Sequence, residues 1–163
     1  MDPRIEQALA QLDEVHVEVV EFVRGCDERE WREVSTVEGW PVGVVAHHIA
    51  AGHEKVIEWL DHLRRDEAVP GNGDTHDEGN AHHAAEFAST TKQQTLDDLE
   101  TNEARLRQYL QGITAEEMSR EAVHGPAGGV VISVERMVGA TARHPRLHLE
   151  HMRDAVAAAE VPS

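Results

Sequence analysis

Apolar residues recur along most of this chain with the period of an α-helix, and the alternation of a half-buried strand is nearly absent. The first segment opens at Asp2-Pro3, where an N-cap residue precedes proline at the first helical position. Leu9, Leu12, Val19, Phe22 and Val23 then form one stripe that ends near Gly25. A connection through Trp31 to Gly39 leads to a second helix, expected from Trp40-Pro41 to about Asp66. At 100° per residue its inward face holds Val42, Val45, Ile49, Gly52, Val56, Trp59, Leu60 and Leu63. His48 lies at the edge of that face, and His53 sits on a flank. The same wheel sends His47 to the opposite, outward side with Glu54, Glu58 and Asp61.

Pro70-Gly71-Asn72-Gly73-Asp74 reads as a loop by turn chemistry. A third helical region is expected from about Glu78 to Gln111, with a restart near Ser89 to Thr91, where Thr91-Lys92-Gln93-Gln94 has capping-box spacing. Leu96, Leu99, Leu106, Leu110 and Ile113 continue its stripe. His124-Gly125-Pro126-Ala127-Gly128-Gly129 marks another loop, and a last helix runs from about Ser133 to Ala159. Its inward residues are Val134, Met137, Val138, Leu149, Met152 and Val156, with His148 within that face and His144 and His151 on its edge. Pro145 removes the amide that would bond the Thr141 carbonyl, so a kink is expected there. The pattern predicts one domain over 1–163, an all-α four-helix bundle.

Composition narrows the function. The 163 residues carry a formal net charge of −16, a surface that repels phosphate backbones and argues against nucleic-acid binding. No apolar run approaches the roughly 20 residues of a membrane span. Cys26 is the single cysteine, and the first residues lack a signal-peptide pattern, so a cytoplasmic location is expected. Val15, Val20 and Val44 lie off the main stripes and are expected to support a homodimer.

The chemistry resides in histidine, of which there are twelve. A lone histidine on a helix is more often a surface or core residue than a ligand. In the last helix, however, His144 and His148 are four apart, and His148 and His151 three apart, so either pair can chelate. All three cannot, because His144 and His151 stand about 10 Å apart along the axis. A third ligand must come from elsewhere, with inward His48 the best candidate. Other candidates are weaker. Cys26 is placed for packing, at a helix end that disfavours a thiolate. Glu54 and Glu58 read as a solvated face. Glu150 is a candidate base or partner of a ligand, though an exposed glutamate is the commoner case. Arg143 and Arg146 could hold an anionic substrate, but surface ion pairs are their commoner use. No nucleophile elbow, phosphate loop or dinucleotide fingerprint occurs. Catalytic and cofactor-binding residues beyond the metal ligands are not assigned.

Gly39-Trp40-Pro41-Val42, then Val45-Ala46, His48-Ile49-Ala50, and finally His144 and His148-Leu149, resemble the DinB/YfiT-like superfamily. That group is related to the N-terminal domain of mycothiol-dependent maleylpyruvate isomerase and to bacillithiol transferase-like proteins. Asn80-Ala81 resembles the opening of the family's third helix. The resemblance implies an up-down-down-up bundle and a metal held by His48, His144 and His148. The isomerase-like branch tends to carry glutamate where this chain has His144, and Pro145 departs from the usual polar residue. Three neutral imidazoles leave a position open, which suits zinc or nickel and a catalytic site. Such a metal lowers the pKa of bound water or stabilises a thiolate. The expected activity is therefore that of a thiol S-transferase or hydrolase acting on a small molecule, with a low-molecular-weight thiol as a possible co-substrate. The alternative is a non-catalytic metal-binding or stress-related bundle.

Overall fold

The structure, a computed structural model, describes residues 1–161. Four long helices form the bundle: α1 (Pro3–Gly25), α2 (Val42–Leu63), α4 (Lys92–Gln111) and α5 (Val134–Glu160), with a shorter α3 (Gly73–Glu86) between α2 and α4. The chain signals that start these helices act as the sequence suggests. Asp2 accepts a hydrogen bond from the Arg4 amide at 2.8 Å, Thr91 from Gln94 at 3.1 Å and Ser133 from Arg136 at 3.1 Å. Each such cap contributes about 1 kcal/mol. α1 and α2 sit diagonally, each packed on both α4 and α5. Ile5, Leu12, Ile49, Leu60, Leu99, Leu106 and Leu149 fill the space between them. The helix α5 runs unbroken through Pro145, whose ring is buried.

Two expectations need correction. The third helical region divides at the restart read near Thr91, but its first part, α3, begins at Gly73 and not near Glu78, because the loop read at Pro70–Asp74 ends at Asn72, which caps α3 in a reciprocal pair with Thr75. The fold is also not purely α. Residues around the expected loop at His124 form an antiparallel hairpin, β1 (Glu121–His124) with β2 (Val130–Ser133), in which His124 faces Val130. The hairpin is tied to the α2–α3 connection: the Val69 amide donates to the Val123 carbonyl at 2.9 Å, and the Gly125 amide to the Val69 carbonyl at 3.0 Å. Gly125 has to be glycine here, since a Cβ would lie 2.1 Å from the Gly71 carbonyl oxygen. This junction closes one end of a cavity between α2, α3, α5 and the hairpin.

The valines expected to support a homodimer do not form a free surface. Val15 and Val44 are buried inside the chain and Val20 is half-buried, so the off-stripe valines belong to the core. A bundle helix touching two neighbours buries a wider arc than a single stripe. Among the described residues, no helix is long and apolar enough to cross a membrane.

Candidate metal centre

His48 on α2 and His144 and His148 on α5 come together, offering ligand nitrogens that all lie within 4.8 Å of one another. The i, i+4 spacing stacks His144 above His148 on one helix face, with Nε2 to Nε2 at 3.0 Å. The His48 ring centroid lies 4.9 Å from that of His148 and 5.3 Å from that of His144. One turn beyond His48, Gly52 leaves the space that His144 occupies. A Cβ there would approach His144 Cε1 to 2.9 Å.

Burial keeps these rings neutral, the form in which imidazole binds a metal. Burial, with His148 and His83 adding, pushes His48 down to about 3. Burial, then the neighbouring histidines, pushes His144 down to about 2. His148 is also lowered by burial, although Glu38 opposes the shift. Three neutral nitrogens within reach of one point therefore fit a divalent transition metal.

Glu38 was not singled out by the sequence. It stands in the turn before α2, where Gly39 adopts φ +73 and its amide donates to the Ser35 carbonyl at 2.8 Å. The Ser35 hydroxyl accepts from the Glu38 amide at 3.2 Å. The turn aims the carboxylate at α5, where Glu38 Oε1 lies 2.6 Å from His148 Nδ1 and 2.6 Å from His151 Nδ1. Burial alone would raise the Glu38 pKa, but hydrogen bonds from His151 and His148 outweigh it, and the net shift is downward. With Nδ1–H donated to the carboxylate, His148 keeps its Nε2 lone pair for the shared point. His151 is thus a partner of Glu38 and not a member of the three-nitrogen cluster.

The remaining sequence candidates separate. His47 is not outward. It is 5% exposed, with Nε2 at 2.9 Å from Asp98 Oδ2 and Nδ1 at 2.8 Å from His83 Nε2, and it stacks on Phe87 at 3.7 Å. The side of α2 opposite α5 is covered by α4 and by the residues joining α3 to it. His53 is buried. Cys26 is buried and its thiol is pushed up to about 11, chiefly by burial and then by Glu30, so it offers no thiolate. Glu150 is exposed, and Glu54 pairs with Arg105 and Glu58 with Lys55 on the surface. Arg146 pairs with Glu18, and Arg143 reaches the Arg136 carbonyl.

His48 and His144 also line a cavity of about 730 Å³, within the size range of ligand sites. Trp59 and Met137 contribute to its walls, with His76 and His83 from α3 and His124 from the hairpin. None of the α3 residues is buried, so this wall is the least firmly packed.

A helical bundle with a cluster of three imidazoles beside a ligand-sized cavity is the class of protein that the fold and the candidate site define. The chain belongs to the DinB superfamily, whose profile matches residues 11–152. No curated protein matches it. Among solved structures it is similar to YfiT from Bacillus subtilis, at 17% identity and a TM-score of 0.80, over 99% of this chain and 91% of that one. That protein is described as a probable metal-dependent hydrolase with an unusual four-helix bundle topology. At this identity the likeness speaks for the fold.

Proposed function

We propose that the chain is a metal-dependent hydrolase of a small molecule, with His48, His144 and His148 as the ligands of one divalent zinc or nickel ion. The observation that carries the reading is the convergence of three neutral imidazoles, two of them on a cavity wall. A metal held there supplies Lewis acidity and activates water or a thiol near neutral pH. The protein's own groups do the rest. Glu38 orients His148 through Nδ1–H, Gly52 admits His144, and the cavity beside the imidazoles offers room for the substrate. The description of YfiT favours hydrolysis.

A second reading keeps the same ligands and uses them to hold a low-molecular-weight thiol, mycothiol or bacillithiol in type, for S-transfer. It is favoured by the absence of any carboxylate along the cavity wall, among the described residues, to act as base towards water. The up-down-down-up chain path and a cytoplasmic protein that does not bind nucleic acid belong to the same proposal.

The test is turnover of an ester and amide panel by protein loaded with zinc or nickel, with and without added thiol. Thiol-independent turnover that chelation abolishes supports hydrolysis, and strictly thiol-dependent turnover supports transfer. Protein that takes up neither metal would leave the non-catalytic bundle as the reading.

A further inference from the structure

Nothing within α3 itself accounts for its being a helix. Its 14 residues include no Leu, Ile, Val or Met and no aromatic ring other than histidine. Helices of this length are marginal in water even when rich in alanine, and Gly79 in the interior weakens this one further. Packing does not hold it either. The face it turns to the bundle, with Thr75, His76, Gly79, Asn80 and His83, lies over the cavity and not over the core, and none of its residues is buried.

α3 is held at its two ends. At the first, Asn72 caps the helix, and its opening turns lie against the Gly125–Ala127 turn of the hairpin. At the other, His83 is tied to the bundle through His47. Asp98 Oδ2 lies 2.9 Å from His47 Nε2 and, as a carboxylate oxygen, accepts its proton. The bare Nδ1 of the neutral His47 ring then accepts from His83 Nε2–H at 2.8 Å. Among the described residues this is the only side-chain hydrogen bond from α3 to another helix. Phe87, next after α3, stacks on the same His47 ring with centroids 3.7 Å apart. Beyond it the chain is fixed again, where Trp31 Nε1–H donates to the Thr90 carbonyl at 3.0 Å. Opening α3 therefore breaks one side-chain hydrogen bond and exposes no core residue. It uncovers His48 and His144, which line the cavity that α3 walls.

We propose that α3 is a lid on the cavity, opening and closing as a unit between the hairpin junction and Thr90, and that the chain Asp98–His47–His83 is its latch. Segments that admit ligands are drawn from the least stable parts of a fold, and α3 has the features of one. Asp98 and His47 act as positioning residues for α3. Control of access to the metal rests on the reading of His48, His144 and His148 as its ligands; the opening of α3 does not.

Hydrogen exchange of the full, metal-free chain, followed by mass spectrometry, tests the lid without any metal. Peptides from α3 should exchange at least about a hundredfold faster than those of α4, whose Leu99, Leu106 and Leu110 are buried. His83→Ala should speed α3 by about a further tenfold, the effect of one hydrogen bond, and leave α4 unchanged. Asp98→Ala should move α3 in the same direction, and His83→Gln, which keeps a donor towards His47, should restore the original rate. Both positions lie outside the core, so the bundle of each variant folds as before. An α3 that exchanges as slowly as α4, or that His83→Ala leaves unchanged, overturns the proposal. Zinc transfer to and from a chromophoric chelator then tests control of the metal site. In His83→Ala, uptake and release should both rise about tenfold with affinity unchanged, because a lid alters the path and not its end states. Asp98→Ala, on α4 and outside the cavity lining, should raise both rates to a smaller extent. Unequal changes in the two rates, or none, overturn the lid's control of the metal site. An unaltered chain that shows the expected α3 exchange but binds no zinc overturns the metal reading and leaves the lid standing.

Discussion

Glu38 Oε1 accepts a hydrogen bond from His148 Nδ1 at 2.6 Å, so a turn residue before α2 fixes the orientation of a proposed metal ligand on α5, 110 positions later in the chain. The carboxylate also selects the tautomer, leaving Nε2 free of a proton on the side that faces His144. Partners of this kind typically contribute 10–100-fold to metal affinity. Glu38→Gln should therefore weaken zinc binding by about that factor, while the variant remains folded because the amide still accepts one hydrogen bond. Competition with a chromophoric chelator measures it. Unchanged affinity would mean that His148 holds its orientation by packing alone.

The ligand assignment makes a sharper contrast. His148→Ala should lose most of the metal affinity, and His48→Ala and His144→Ala should each do the same. His47→Ala should keep the metal and lose stability instead, by about 1–3 kcal/mol, because it leaves Asp98 and His83 without their shared partner. Metal content after equal dialysis and urea unfolding of the metal-free forms separate the two effects. Equal metal loss in His47→Ala and His148→Ala would show the site to be misassigned.

What could be read from the chain follows from where periodicity applies. The bounds of α1 and α5 and the restart at Thr91 were legible because capping residues and long apolar stripes agree there. The start of α3 was hidden because it buries none of its residues and so has no stripe to show. The hairpin was hidden because four-residue strands are too short to display alternation. Within the site, the i, i+4 pair and the inward His48 were visible on helical wheels. His47 was misplaced by the same wheel, which assumes one buried face, whereas α2 packs on both α4 and α5. Glu38 lies in a turn where no period exists, and the glycine following it was the one local signal.

Gly52 offers a test of geometry rather than ligand chemistry. Its Cβ-free surface lets His144 sit against α2, and Gly52→Ala places a methyl within 2.9 Å of His144 Cε1. The ring has to shift by a few tenths of an ångström or rotate away. Metal affinity should fall, even though alanine favours the helix by about 1 kcal/mol over glycine. The expected signature is a variant that is as stable as the original or more so when metal-free, and weaker in zinc binding. A zinc affinity equal to the original would show that His144 has room to adapt.

Alongside His48 and His144, His53 should set part of the acid limb of stability. This residue is 4% exposed on α2, and burial, reinforced by His16, pushes its pKa down to about 4 from an ordinary value of 6.5. The unfolded chain therefore binds a proton at this position at a higher pH than the folded chain does. The stability contributed by the neutral buried ring is fully present above pH 6.5 and is lost as pH falls from 6.5 through 4. One such group changes stability by up to about 1.4 kcal/mol per pH unit, or on the order of 3 kcal/mol across the window. Replacing His53 with Leu, which fills much of the same space without a titrating group, should lower the slope of the metal-free stability profile between pH 6.5 and 4 by up to about 1.4 kcal/mol per pH unit. His48 and His144 keep their contributions to that slope. Urea midpoints at half-unit pH steps give the comparison. Parallel profiles for the two proteins would place the acid sensitivity in other groups.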